Sequence, residues 1–464
     1  MPSRVLNPWK TTKSKALLAR IRHCRLRRWH ATERGQVLPL GLLLLALLAM
    51  CLWWVSDAAL AVSEKRRLTQ AADMAALSGA VWQARTLNFD AYMNRAIMAN
   101  EAVIAQSVSL RAFSNYMSQL LLNSATVTTW VPFLGQALRV VDRVWSGIDQ
   151  SLSAGLTTLE VLTSLADQDL AFAQRLMHAG AVQYVPKLVR QQVKAIDPRF
   201  EVTEGAEAAL TLWQLQWPRF ASFYGGAFRW RQQDVLYRSM DGFSAERQFR
   251  WPRSSALGFR IERRGGTELV NFESWQAVDT LSLHLRRYVL FGSLRERVPM
   301  AWGGAALGAR RIRPPRRDSF AAAYRVNPRA ARWAERTTLG RSGYLGLPSV
   351  FDLSVAQRRK FDPQPVTIRV RLPAASRTRS FVMPAMNQQK IRTVAIEDSS
   401  TDFFAEAAAA VWFAQPEARR DGQQELPHLF SPYWQARLQT LTPSQRLMMA
   451  ALDKTPIDLA GVTP

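Results

Sequence analysis

The chain has 464 residues, 48% of them hydrophobic, with 61 Lys and Arg against 36 Asp and Glu and a formal net charge of +25. That length supports two or three domain-sized units with real cores, and a balance this basic favours anionic partners. The only cysteines are Cys24 and Cys51, so a disulfide scaffold is excluded for everything that follows residue 51.

The first expected element is a membrane helix. Residues 37–56 read VLPLGLLLLALLAMCLWWVS without a charge, and about 20 such residues cross a hydrocarbon core of roughly 30 Å. Pro39 falls in the first turn, where its missing N–H costs little. Trp53 and Trp54 sit near the far end, where amphipathic rings favour the interface. Arg20, Arg22, Arg25, Arg27, Arg28 and Arg34 precede the run with only Glu33 opposing them. The positive-inside rule therefore predicts a basic cytoplasmic tail over 1–36, with the residues beyond about 60 outside. Asp57 stands at the outer edge, as an interfacial anchor or as a partner for another chain. A cleaved signal peptide is the competing reading, because Ala59-Leu60-Ala61 fits a small-x-small site. The apolar run exceeds the usual h-region of about 7–15 residues, which argues against cleavage.

The helical signal continues past the membrane. Residues 58–84 are rich in Ala, Leu, Glu, Lys and Arg and lack proline, which predicts one helix from 37 to the mid-80s. Ala72, Ala76 and Ala80 repeat at a spacing of four, as do Ala71, Ala75 and Gly79, with Asp73 beside them. Small residues at that spacing admit a close second backbone: either a partner helix or the chain's own domain.

These residues carry a family resemblance. An Arg-Gly before an apolar helix, a Glu64-Lys65-Arg66-Arg67 step, and Gln70-Ala71-Ala72-Asp73-Met74-Ala75-Ala76-Leu77 resemble the N-terminal segment of TadG-like Flp (tight adherence) pilus-assembly proteins. Residues 88–109 resemble TadE/TadG-like proteins of proteobacteria, and residues 430–438 give a weaker echo. The resemblance implies a bitopic envelope protein of the bacterial inner membrane, a pilus or secretion apparatus as its setting, and pilin-like or platform proteins as partners. Gly35 would be the pilin cut site, but position five after it is Leu40 instead of glutamate. An uncut accessory subunit fits better than a major pilin.

Residues 84–195 read as further helices interrupted at Pro132. In the second helical pattern, Val140, Val141, Val144, Ile148, Leu152, Leu156, Leu159, Leu162 and Leu165 form an apolar stripe. A helical hairpin with this stripe in its core is the expected arrangement, and a partner-binding coiled coil is the alternative. From 196 to 464 the texture turns to strands. Leu257, Phe259 and Ile261 alternate with polar or small residues, as do Leu281, Leu283 and Leu285, and Val366, Ile368, Val370 and Leu372. Residues 405–413 are ambiguous between strand and helix. Thr442 before Pro443 predicts the start of a terminal helix. The expected fold class is membrane-anchored α+β, with a mainly antiparallel β-rich outer domain.

Arg310, Arg311, Arg313, Arg316 and Arg317 surround Pro314-Pro315 in an expected extended loop. It reads as an anion-binding surface for lipid headgroups or an envelope polymer, or as a solvated loop. No nucleic-acid module accompanies the charge. His23, His30, His178, His284 and His428 form no metal-ligand spacing, and neither a Gly-x-Ser-x-Gly elbow nor a P-loop is present. Gly303, Gly304 and Gly308 read as a surface loop. A non-enzymatic protein without a cofactor is expected.

Overall fold

The computed structural model describes residues 37–128, 134–223, 229–252, 258–289, 292–378, 401–417 and 420–453. The chain divides into two units, residues 1–62 with 378–389 and residues 63–377 with 390–464. The first unit carries the apolar start of helix α1 (Val37–Val127). Within α1 the 18-residue window apolar enough to cross a membrane is entirely unburied. It is one helix long and apolar enough to do so.

The second unit is α+β. Its elements in chain order are the rest of α1, α2 (Leu134–Ile196), β1 (Glu201–Val202), α3 (Glu204–Phe220), β2 (Ala221–Phe223), α4 (Arg229–Ser239) and α5 (Gly242–Ala245). Then come β3 (Glu246–Trp251), β4 (Phe259–Val270), β5 (Ser274–Val289), β6 (Gly292–Leu307), α6 (Asp318–Val326), α7 (Pro328–Thr337) and β7 (Gly340–Arg341). The chain finishes with β8 (Phe351–Leu353), α8 (Val355–Arg359), β9 (Val366–Leu372), β10 (Phe403–Phe413), β11 (Trp434–Gln439) and α9 (Pro443–Leu452). Two larger sheets result, β1-β9-β10-β11 and β3-β4-β5-β6-β7, and all their pairings are antiparallel except β6 with β7.

Helix α1 extends well beyond the mid-80s. Asn88, Asp90, Asn94 and Asn100, poor helix formers that follow, each find a polar partner on another element, so the helix keeps its backbone ladder through them. Helix α2 runs to Ile196, at the expected end of the helical region, and carries Pro186 inside it. Proline cannot donate to the carbonyl four residues back. The Gln214 side chain of α3 supplies that bond instead, donating to the Val182 carbonyl at 2.8 Å.

Two cores follow from α1. Its alanine-rich stretch, residues 68–87, packs with α2 (Val185, Val189, Val193), α3 (Trp213, Trp217) and the inner face of β9 and β10. Its next stretch, residues 97–112, packs on β4, β5 and β6 through Leu269, Trp275 and Ala305. Gly303 and Gly304 are therefore not in a loop: both lie on β6. A Cβ at Gly303 would fall 2.3 Å from the Ala112 carbonyl oxygen, so its bare backbone lets α1 lie against the sheet. On the sheet's other face Gly266 gives α6 the same access, with Phe320 N at 2.5 Å from a built Cβ.

The expected strands are present where they are described. Ile261 pairs with Leu283 and Phe259 with Leu285, and Leu257 lies outside the described residues. Residues 403–413 resolve to a strand, β10, because β9 and β11 hydrogen-bond to both its edges. Helix α9 starts with the capping box its sequence offers. Thr442 Oγ1 accepts from Gln445 N at 3.3 Å, and Gln445 Oε1 accepts from Thr442 N at 3.0 Å.

Candidate functional site

The small-residue face of α1 is filled by the chain itself. Ala71, Ala72, Ala75, Ala76 and Ala80 have no exposed surface. A Cβ on Gly79 would meet Val366 of β9 at 3.0 Å and Val189 of α2 at 3.1 Å. Of the two readings of this spacing, close packing within the chain's own domain is the one observed, and no room is left there for a partner helix. Asp73 is half-buried beside this face, and burial raises its carboxyl above the ordinary value.

The α1–α2 contact differs from the expected hairpin core. It is a ladder of polar pairs in antiparallel register. Asp90 meets His178, and Gln174 Nε2 donates to Asn94 Oδ1 at 2.6 Å. Asn100 Nδ2 donates to Asp167 at 2.7 Å, and Ser107 Oγ donates to Glu160 at 2.7 Å. Arg111 binds Glu160 at 2.9 Å and also reaches the Ser153 carbonyl and Thr157. Ser114 closes the ladder on Asp149. The apolar stripe of α2 faces the opposite way. Val140, Val141, Val144, Ile148, Leu159, Leu162 and Leu165 are exposed, Leu152 is half-buried, and only Leu156 of that set is buried. The hairpin expectation is thus corrected: α1 presents polar side chains along this line, and α2 turns its matching polar residues toward them.

Beside the ladder, where α1 meets the five-stranded sheet, Glu101 is wholly buried. Trp275 Nε1 donates to it at 2.7 Å and the Tyr344 hydroxyl at 2.8 Å. Burial pushes Glu101 up to about 7 and Asp167 up to about 8, outweighing their hydrogen bonds. Asp90 is raised for the same reason against the pull of His178. No ligand or catalytic spacing flagged these acids: Asp90 follows Phe89, Glu101 follows Asn100, and Asp167 precedes Gln168-Asp169. The heptad-like recurrence of polar residues at 90, 94, 100, 107, 111 and 114 was the available signal.

The arginine loop is pinned through its backbone. Arg313 N donates to Gln276 Oε1 at 2.7 Å, and Arg316 N and Arg317 N donate to Glu268 at 2.9 and 3.1 Å. The Arg310, Arg311, Arg313 and Arg316 residues are exposed. Arg317 instead lies over the Tyr237 ring at 4.2 Å and donates to the Thr267 carbonyl. At the membrane end Trp53, Trp54 and Asp57 are exposed, and Arg27, Arg28 and Arg34 lie outside the described residues.

The two segments with later echoes in the sequence meet. Asn88 of α1 donates to the Trp434 carbonyl at 2.8 Å and accepts from Trp434 N at 3.0 Å. Arg95 Nε donates to the Phe430 carbonyl at 2.6 Å.

Among the described residues, the start of α1 is long and apolar enough to cross a membrane, and its later residues pack into an α+β body, so the chain is α+β with a candidate membrane anchor. Within that class, residues 35–84 match the family model of the putative Flp pilus-assembly TadE/G-like proteins. The N-terminal segment is therefore similar to TadE/G-like pilus-assembly proteins over those residues. No curated protein and no solved structure shows significant similarity to the chain.

Proposed function

We propose that this chain is a non-enzymatic accessory subunit of a Tad/Flp-type pilus or related secretion machine. Its apolar helix tethers it in the bacterial inner membrane, its basic tail over 1–36 faces the cytoplasm, and its body lies in the periplasm beside pilin-like or platform proteins. The observation that carries this reading is the TadE/G-like match on a helix with two environments: residues 37–56 bare and apolar, and a face of Ala71, Ala72, Ala75, Ala76 and Ala80 sealed in the body. A tether needs an anchor joined to a folded load, and α1 contributes to both.

The test is protease protection in spheroplasts with a C-terminal tag. External protease should remove the tag from a full-length, membrane-bound species. A soluble species shortened by about sixty residues would mean cleavage near Ala61 and sink the tether. Loss of about thirty-five residues would return a pilin-like role through cutting after Gly35.

A second reading has its own observation. The loop, pinned at Arg313 N, exposes Arg310, Arg311 and Arg313, which suits an anionic polymer or lipid surface. Substituting all three with serine should abolish salt-sensitive retention on anionic vesicles. Unchanged retention would discard this reading.

A further inference from the structure

A cleft of about 460 Å³ opens between α1, α2, the segment from Thr337 to Arg341, and β6 from Trp302 to Ala306. Strand β7 pairs with β6 only at Ala306 and Leu307, so among the described residues no strand covers that edge of β6 before Ala306.

One end of the cleft is doubly cationic. Arg111 Nη1 and Arg341 Nη2 donate to the same hydroxyl, Ser153 Oγ, at 3.2 and 2.9 Å. Arg111 Nη2 and Arg341 Nη1 share Thr157 Oγ1 at 2.8 and 2.7 Å. Glu160 neutralises Arg111 at 2.9 Å, but Arg341 has no carboxylate partner among the described residues. A guanidinium offers five donors and no acceptor, so this end holds donors in excess and one uncompensated charge.

The other end is acidic. Asp142 lines the cleft and makes no hydrogen bond or ion pair among the described residues. It stands about 16 Å along α2 from Ser153, at 1.5 Å per residue. The antiparallel α1 covers the same length from Arg111 to Leu122, with the carboxamides of Asn115 and Gln119 between. Carboxamides both donate and accept, as a peptide backbone does.

A small anion satisfies the cationic end alone. A ligand that satisfies both ends carries an anionic oxygen group at one end and an ammonium about 16 Å away, which is the span of an extended peptide of about five residues with free termini. We infer that this cleft binds such a peptide along the β6 edge, its carboxylate on Arg341 and Arg111 and its amino group toward Asp142. The inference stands apart from the tether reading, because it concerns a site of the body and holds whether or not the chain is anchored.

The experiment titrates the full chain in detergent with a pentapeptide of alanine and serine, followed by isothermal calorimetry. The peptide with both termini free should bind at one per chain. Amidating its C-terminus should weaken binding about tenfold or more, and acetylating its N-terminus about threefold. Arg341→Gln should erase the penalty of amidation. Asp142→Asn should erase the penalty of acetylation, and because Asp142 makes no internal bond this variant keeps the fold. Absence of binding at millimolar peptide, equal binding of the amidated form, or an acetylation penalty that survives in Asp142→Asn would each overturn the inference.

Discussion

The Ala71, Ala72, Ala75, Ala76 and Ala80 face of α1 and the Val140–Leu165 stripe of α2 both read as apolar helix faces, yet the first has no exposed surface and most of the second is exposed. The difference lies in side-chain size and in what faces each helix. Alanine and glycine let β9 and α2 approach α1 until a Cβ at Gly79 would touch both. The valines and leucines of α2 lie opposite the face by which α2 binds α1, and that inner face is spoken for by the polar ladder. An apolar period thus marks a face that must be covered without saying what covers it.

The strongest way to break this contrast is to enlarge the buried face. Ala72→Leu with Ala76→Leu should destabilise the body by about 4 kcal/mol or more, since overpacking costs about 1–3 kcal/mol per site; urea unfolding in detergent followed by tryptophan fluorescence would read it. A loss below about 1 kcal/mol would mean that the alanine face has slack.

Arg111→Met attacks the ladder that separates the two faces. It leaves Glu160, at 1% exposed, without its cation and should cost about 3 kcal/mol in the same assay. An unchanged midpoint would show that the ladder contributes nothing to holding α2 in place.

Acid strength sharpens the comparison further. Glu101 and Asp167 are raised to about 7 and about 8, so between pH 4.5 and 7, and between 3.8 and 8, the folded chain binds more protons than the unfolded one. Their contribution to stability is therefore greatest at low pH and falls as pH rises through those windows. The melting temperature should climb as pH drops from 8 to 6. Glu101→Gln with Asp167→Asn should flatten that slope, and a slope unchanged by both would discard the burial argument.

The smallest effect belongs to the outer face. Leu162→Ser should shift the unfolding free energy by less than about 0.5 kcal/mol, because the side chain is 61% exposed. A larger loss would mean that the face is buried in the monomer after all.

Much of this architecture was legible in the sequence. The apolar run, the TadG-like segment, the alternation on β4, β5 and β9, and the Thr442 cap all depend on local patterning, and each is where the pattern put it. The features that escaped depend on distant partners. Asn88, Asp90 and Asn94 resemble breakers until Trp434, His178 and Leu429 come to meet them. Gly303 looks like a loop until α1 is laid across it. The buried Glu101 has no neighbour in sequence that signals Trp275 or Tyr344.

The amides along α1 also set a timetable. Asn88 and Asn94 emerge early in synthesis, but their acceptors at Trp434 and Leu429 stand 346 and 335 residues later. Contacts this remote in sequence close slowly. Until the ribosome has made nearly the whole chain, the Asn88 amide waits for its acceptor at Trp434, while Asn94 meets Phe351 first and Leu429 later. A chain truncated before residue 429 leaves Asn88 of its oldest helix without that partner.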